Sequence, residues 1–143
     1  MAVVGNGADH LAATVVASPR QALPEGFKFL HVSSCFARKG VDVLLAAFGE
    51  GFSAQDSVAL VIKTFPNPHN TIHQQVADFR EAFPDAATIT VLEEDWAEDE
   101  MVGLYVACDA YVAPSRGEGF GLPLAEAMRH QLPVITSDWG GHR

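Results

Sequence analysis

The 143-residue chain carries 9 Lys and Arg against 18 Asp and Glu, a net charge of −9 with histidine neutral, and is 48% apolar and 19% charged. That length suits one domain with a real core, and the composition is too apolar for a disordered acidic tail. The acidic balance argues against broad binding to a nucleic-acid backbone, so an anion site has to come from a few local groups.

Residues 1–26 hold a Gly5-Asn6-Gly7 turn signal and few strong elements. After the breaker Pro24-Glu25-Gly26, the aromatic and β-branched run Phe27–Ser33 predicts a first strand. Val41, Leu44, Leu45 and Phe48 recur at helical spacing and predict a helix ending near Gly49–Gly51. Ser57–Ile62 is nearly continuous in apolar residues, as a strand covered on both faces should be. Pro66-Asn67-Pro68 breaks it, and Ile72, Val76, Phe79 and Phe83 mark a second helix stopped by Pro84.

Thr88–Leu92 predicts a third strand. The acidic stretch Glu93–Glu100 reads as a solvated loop, with Trp96 inside it, leading to a helix through Met101, Leu104 and Tyr105. Asp109–Ala113 predicts a fourth strand, a helix follows at about Pro123–His130, and Leu132–Thr136 predicts a fifth strand. Strands separated by helices imply right-handed crossovers and a doubly wound parallel α/β sheet, Rossmann-like in class. Such a domain normally continues past a fifth strand, so the chain reads as a piece of a longer protein.

Ligands of open parallel sheets bind beyond the carboxyl ends of the strands, so the loops there carry the chemistry. The loop Pro114–Pro123 has glycines at 117, 119 and 121 and leads into a helix whose first N–H groups would bind an anion. A diphosphate suits that place; the alternative is a strand–helix turn whose glycines serve packing alone. Glu118 and Glu126 flank it with seven residues between them, and carboxylates suit the hydroxyls of a sugar or ribose. A carboxylate near a helix start is also favoured by the dipole alone. Arg38 and Lys39, after the first strand, are adjacent cations near another helix start, where they oppose the dipole. They read either as phosphate-neutralising groups or as solvated surface cations.

These segments carry a specific resemblance. Arg38-Lys39-Gly40-Val41-Asp42, the strand Asp109–Ala113, the block Pro114 to Met128 with Glu118-Gly119-Phe120-Gly121 inside it, Leu132–Thr136 and Trp139-Gly140-Gly141 resemble the C-terminal, donor-binding domain of family-4 (group 1) GT-B glycosyltransferases. Asn6-Gly7-Ala8-Asp9 resembles the segment joining the two domains of such enzymes, which makes residues 1–26 an interdomain hinge and 27–143 the nucleotide-sugar-binding domain, incomplete at its C-terminus.

The resemblance implies a transferase that retains anomeric configuration, needs no metal or other cofactor, and takes a nucleotide-diphosphate sugar as donor. It implies Glu118 and Lys39 as catalytic residues, Glu118 on the sugar hydroxyls and Lys39 on the diphosphate. Glu126 would hold the ribose, the N–H groups of Gly119, Phe120, Gly121 and Leu122 the diphosphate, and Leu92-Glu93 would lie near the base. Arg38 would stand in for the arginine that the family often places after the first strand, where this chain has Ser33-Ser34. Lys63 is a further cation, read as a strand-end lysine in water. The acceptor would be a glycan or lipid-linked glycan, held by an N-terminal domain absent from this chain, with peripheral membrane association through that domain. A place in polysaccharide biosynthesis follows from the same resemblance.

The alternative is a nucleotide or nucleotide-sugar module without transfer activity in isolation. A dinucleotide-binding dehydrogenase fits poorly, because no G-x-G-x-x-G follows the first strand. Cys35 and Cys108 sit in apolar contexts that suit reduced buried thiols, with a disulfide left open. None of the six histidines shows metal-ligand spacing, and His142, in the loop after the fifth strand, reads either as a cleft-lining residue or, more simply, as a surface histidine. With no signal peptide pattern and no run of 18 apolar residues, the expected location is cytoplasmic.

Overall fold

A computed structural model describes residues 18–142. Five strands are present: β1 Phe27–Val32, β2 Val58–Lys63, β3 Thr88–Leu92, β4 Ala110–Ala113 and β5 Val134–Thr136. Four α-helices connect them: α1 Val41–Gly51, α2 Ile72–Ala82, α3 Glu98–Ala107 and α4 Leu122–Arg129. The sheet runs β3-β2-β1-β4-β5 with every pairing parallel. This is the doubly wound α/β class expected from the alternation of elements, with the strand order of a Rossmann half.

Period-two alternation assigns the strand residues to two faces. Leu60, Ile62, Ile89 and Val112 pack with Leu44, Leu45 and Phe48 of α1 and Ile72, Val76 and Phe79 of α2. Leu30, Val61, Leu92 and Tyr111 pack on the other side with Leu104 and Tyr105 of α3 and Leu124 and Ala127 of α4. Neighbouring β2 residues thus belong to opposite clusters, which is why that strand reads as one continuous apolar run. Each fully buried Leu, Ile or Val contributes about 1.5–3 kcal/mol relative to exposure, so the two clusters are the main source of stability.

Most boundaries fall within two residues of the sequence expectation, and three differences bear on the site. Strand β1 ends at Val32, because Ser33 Oγ accepts the Cys35 N–H at 3.0 Å and Cys35 turns the chain at φ 55°. Strand β2 runs on to Lys63, whose register partners are Val32 and Leu92. Helix α3 starts at Glu98, inside the stretch expected to be a loop. Glu100 accepts the Ala97 N–H at 2.8 Å, and three acidic residues in the first turn match the positive end of the dipole.

Trp96 is not solvated either; it packs against the α3–α4 cluster. Cys35 and Cys108 are free and buried, and burial pushes the Cys108 thiol up to about 12. Of the expected hinge, residues 1–17, including Asn6–Asp9, lie outside the described residues. Within 18–26, Leu23 packs on the α3–α4 cluster and Arg20 pairs with Glu94. No helix among the described residues is long and apolar enough to cross a membrane.

Candidate functional site

The strand order reverses between β1 and β4, and their crossovers leave on opposite faces of the sheet. A crevice therefore opens where the loops after β1 and β4 meet, the usual ligand position of such sheets. The loop after β1 contains a 3-10 turn, Ala37–Lys39, that precedes α1. The loop after β4 is Pro114–Gly121 and opens into α4.

The two loops are laced together. The Arg116 N–H donates to Arg38 O at 2.8 Å, and Arg38 Nη1 donates to Gly117 O at 3.0 Å. Arg116 Nη1 donates to Ala37 O at 2.8 Å, while its guanidinium grips Asp42 at 2.8 and 2.7 Å. The Arg116 hydrogen bond holds the Asp42 carboxyl below its usual range.

At the centre of the crevice Lys39 Nζ donates to Glu118 Oε2, with the two side chains only 12% and 14% exposed. Burial pushes the Glu118 carboxyl up, but the Lys39 hydrogen bond and charge outweigh it and hold the group below its ordinary value. Lys39 is therefore not a solvated surface cation. It reaches across the switch point to the one carboxylate that the Gly-rich loop presents.

The third wall comes from the loop after β5. The Gly141 N–H donates to Glu118 O at 3.0 Å, and a Cβ on Gly141 would stand 1.8 Å from Gly119 O. Only glycine allows that approach. His142 is not a free surface residue: it bonds Thr136 Oγ1 and lines the crevice with Lys39 and Glu118. Trp139 stands 67% exposed.

Helix α4 starts at Leu122 with Pro123 in its first turn, and its first intrahelical bond runs from the Ala125 N–H to Gly121 O at 3.0 Å. The N–H groups before that bond lie outside the helix ladder and face the crevice end. The Gly119 N–H donates to its own Glu118 Oε1 at 3.1 Å. One turn into α4, Glu126 accepts the Tyr105 hydroxyl at 2.6 Å; burial, then the Glu126 charge, push the Tyr105 hydroxyl above its usual range. A cleft of about 360 Å³ beside this pair is lined by Trp96, Met101, Tyr105, Glu126 and His130.

The sequence-derived positions thus separate into groups. Lys39, Glu118 and Gly121 line the crevice at the switch point and Arg38 borders it, whereas the side chains of Phe120 and Leu122, in the same loop and helix start, stand exposed; Glu126 lies one helical turn further along α4. Leu92 does not offer a side chain, since it is buried in the α3–α4 cluster. The Glu93 carboxylate is engaged by His73 and approached by Asn70. Lys63 is not in water: it is 5% exposed, and Nζ donates to Thr64 O and Glu94 O, each at 2.6 Å. A wider depression of about 450 Å³ around Gly49–Phe52 and Phe83–Ala86 lies at the amino ends of β2 and β3, away from the switch point, and has no cation in its lining.

The sequence suggested no role for His31, Tyr105 or Arg116, and marked Ser33 only by its place in the loop after the first strand. His31 Nδ1 bonds Val112 O and Nε2 bonds Ser33 Oγ, each at 2.8 Å, directly beneath the crevice. The carbonyl fixes Nδ1 as the donor, so Ser33 donates to Nε2. A histidine inside a strand covered on both faces was the available signal. Tyr105 and Arg116 had none, because each acts through residues distant in sequence.

Residues 26–143 match the family model described as glycosyl transferases group 1. The chain belongs to that family. It is 32% identical over 113 residues to the uncharacterized glycosyltransferase 335 of Sulfolobus islandicus rod-shaped virus 1, an alignment covering 78% of this chain and 32% of that protein. It is 29% identical over 133 residues to the serotype-specific mannosyltransferase WbdA of Escherichia coli, covering 93% of this chain and 15% of the relative. The pneumococcal O-GlcNAc transferase GtfA, solved with UDP and GlcNAc, superposes with a TM-score of 0.64 at 22% identity, over 89% of this chain and 24% of that one. The chain therefore spans about a third or less of the length of these relatives and of that solved structure, and its α/β layer superposes on one part of a GT-B fold.

Proposed function

We propose that the chain is the donor-binding domain of a retaining glycosyltransferase that takes a nucleotide-diphosphate sugar. The observation that carries this reading is the Lys39–Glu118 pair at the β1/β4 switch point, beside the start of α4. Group 1 membership supplies the sugar-transfer chemistry, and GtfA, with UDP and GlcNAc bound, supplies a precedent on the same fold.

In this reading the donor diphosphate takes over the Lys39 ammonium and the N–H groups of Gly119–Leu122, with Arg38 adding a second charge. Glu118, released from Lys39, accepts hydroxyls of the transferred sugar. Glu126 accepts the ribose diol while Tyr105 holds its second oxygen. Positive groups fixed around the departing diphosphate lower the barrier to its release, because its charge grows in the transition state. No metal or other cofactor is assigned. The acceptor, a glycan or lipid-linked glycan in polysaccharide assembly, falls to a partner domain that also provides any membrane contact, at a cytoplasmic location. Transfer needs donor and acceptor held together, so this chain alone is expected to bind donor without turnover.

A thermal-shift panel of UDP, GDP, ADP and their sugar conjugates tests the reading. A ligand that binds only the folded state raises its stability by mass action. One base family is expected to shift the midpoint, and a folded sample that responds to none rejects the proposal. Glu126→Ala removes charge-assisted hydrogen bonds of about 1.5–3 kcal/mol, so nucleotide affinity should fall roughly 10- to 100-fold. Glu118→Ala should lose only the extra affinity that the sugar adds to the nucleotide. Calorimetric titration of nucleotide and nucleotide-sugar separates the two; identical losses for both ligands in both variants would contradict the assignment.

A further inference from the structure

Lys63 is a buried cation without an ion-pair partner. It ends β2 on the same face as Val61, towards α3, and Nζ spends two of its three N–H groups on the carbonyls of Thr64 and Glu94. Nζ also stands 5.5 Å over the Trp96 ring. Among the described residues no carboxylate comes within ion-pair distance of it, and burial pushes its pKa down. Its direct partners are neutral groups, and the Asp95 and Glu94 charges, acting from beyond contact, offset only part of the cost of burying it.

The cleft it lines explains the cost. Ser33, Ser34, Arg38, Lys39, Lys63 and Thr64 border a hollow of about 270 Å³ running from the ends of β1 and β2 towards Pro123. Three of the chain's 9 Lys and Arg meet there, and none of its 18 Asp and Glu is in the lining. In a chain of net charge −9, this local excess of cations favours an anion, with Lys39 shared with Glu118 in its absence.

We propose that Lys63 is a third cation of the donor cleft, giving its remaining N–H to a phosphoryl oxygen of the nucleotide diphosphate while its other two hold the Glu93–Trp96 loop against β2. This assignment rests on the donor-binding reading above.

The test titrates wild type and Lys63→Met with inorganic diphosphate, a nucleoside and its diphosphate. Lys63→Met is expected to lose tenfold or more in affinity for inorganic diphosphate and for the nucleoside diphosphate, with less than a threefold change for the nucleoside. Equal losses for nucleoside and diphosphate would reduce Lys63 to a loop support and overturn the assignment, as would no loss at all. A wild type that binds inorganic diphosphate but no nucleotide would defeat the donor-domain reading while leaving Lys63 to be judged on diphosphate alone. A wild type that binds no diphosphate overturns the Lys63 assignment. Should Lys63→Met fail to fold, the side-chain ammonium resonance of Lys63 in wild type decides: diphosphate must shift it, and an unmoved signal rejects the contact.

Discussion

Gly40→Ala is expected to lower stability by about 3 kcal/mol and to weaken nucleotide binding with it. Gly40 joins the 3-10 turn to α1 at φ 71°, a conformation costing a non-glycine residue roughly 1–2 kcal/mol. The larger part of the cost is steric. A Cβ there would stand 2.0 Å from Pro114 O, so the loops after β1 and β4 have to part. Parting them strains the Arg116–Arg38, Arg38–Gly117 and Lys39–Glu118 contacts together. For a chain of this size the loss corresponds to a fall in Tm of roughly 6–12 °C. Gly117→Ala is the control: it lies in the same lacework, yet nothing stands within 4 Å of its Cβ position, and its stability should stay within about 0.5 kcal/mol of wild type. Matching urea midpoints for the two variants would remove the close-approach argument.

The second large effect is a loss of stability in mild acid that one residue controls. Burial holds His31 neutral and lowers its pKa from 6.5 to about 4. At pH 7 it is neutral in the folded state and mostly neutral in the unfolded one. Below pH 6.5 the unfolded chain binds a proton that the folded chain refuses until about pH 4. Stability therefore falls as pH drops through that window, by about 1.4 kcal/mol per pH unit and about 3 kcal/mol in all. His31→Gln, neutral throughout, should flatten the curve between pH 6.5 and 4.5 even if its stability at pH 7 is lower. Carboxylates with lowered values, Asp42 and Glu118, lose their contribution only at lower pH, so they do not imitate the effect. Urea unfolding at half-unit steps of pH measures it, and parallel curves for wild type and His31→Gln would refute it.

The loops that carry chemistry were legible in the chain because their residue types are local. Glycines at 117, 119 and 121, Pro123 at a helix start and the paired cations 38 and 39 announce an anion site from sequence. The Lys39–Glu118 contact was not legible, because it joins residues 79 positions apart across two strands. Lys63 shows the same limit more sharply. Its place at the end of an apolar strand is read from the chain, but its burial depends on where Trp96 and the 94 carbonyl fold over it, and no periodicity encodes that. Trp96 itself, set among acidic residues, looked solvated until α3 and α4 supplied a surface to cover it.

By itself the sequence determined the five strands, the four helices and their parallel winding, because period-two and helical spacing of apolar residues are set by local geometry. It also determined which loops hold the glycines, cations and carboxylates, and through them the family resemblance. Tertiary structure alone decided the strand order, and with it that the loops after β1 and β4 face each other at the reversal. It also decided which charges were buried as partners and which stayed in water. Those outcomes depend on contacts between distant segments, whose energy exists only once the two clusters have closed on the sheet.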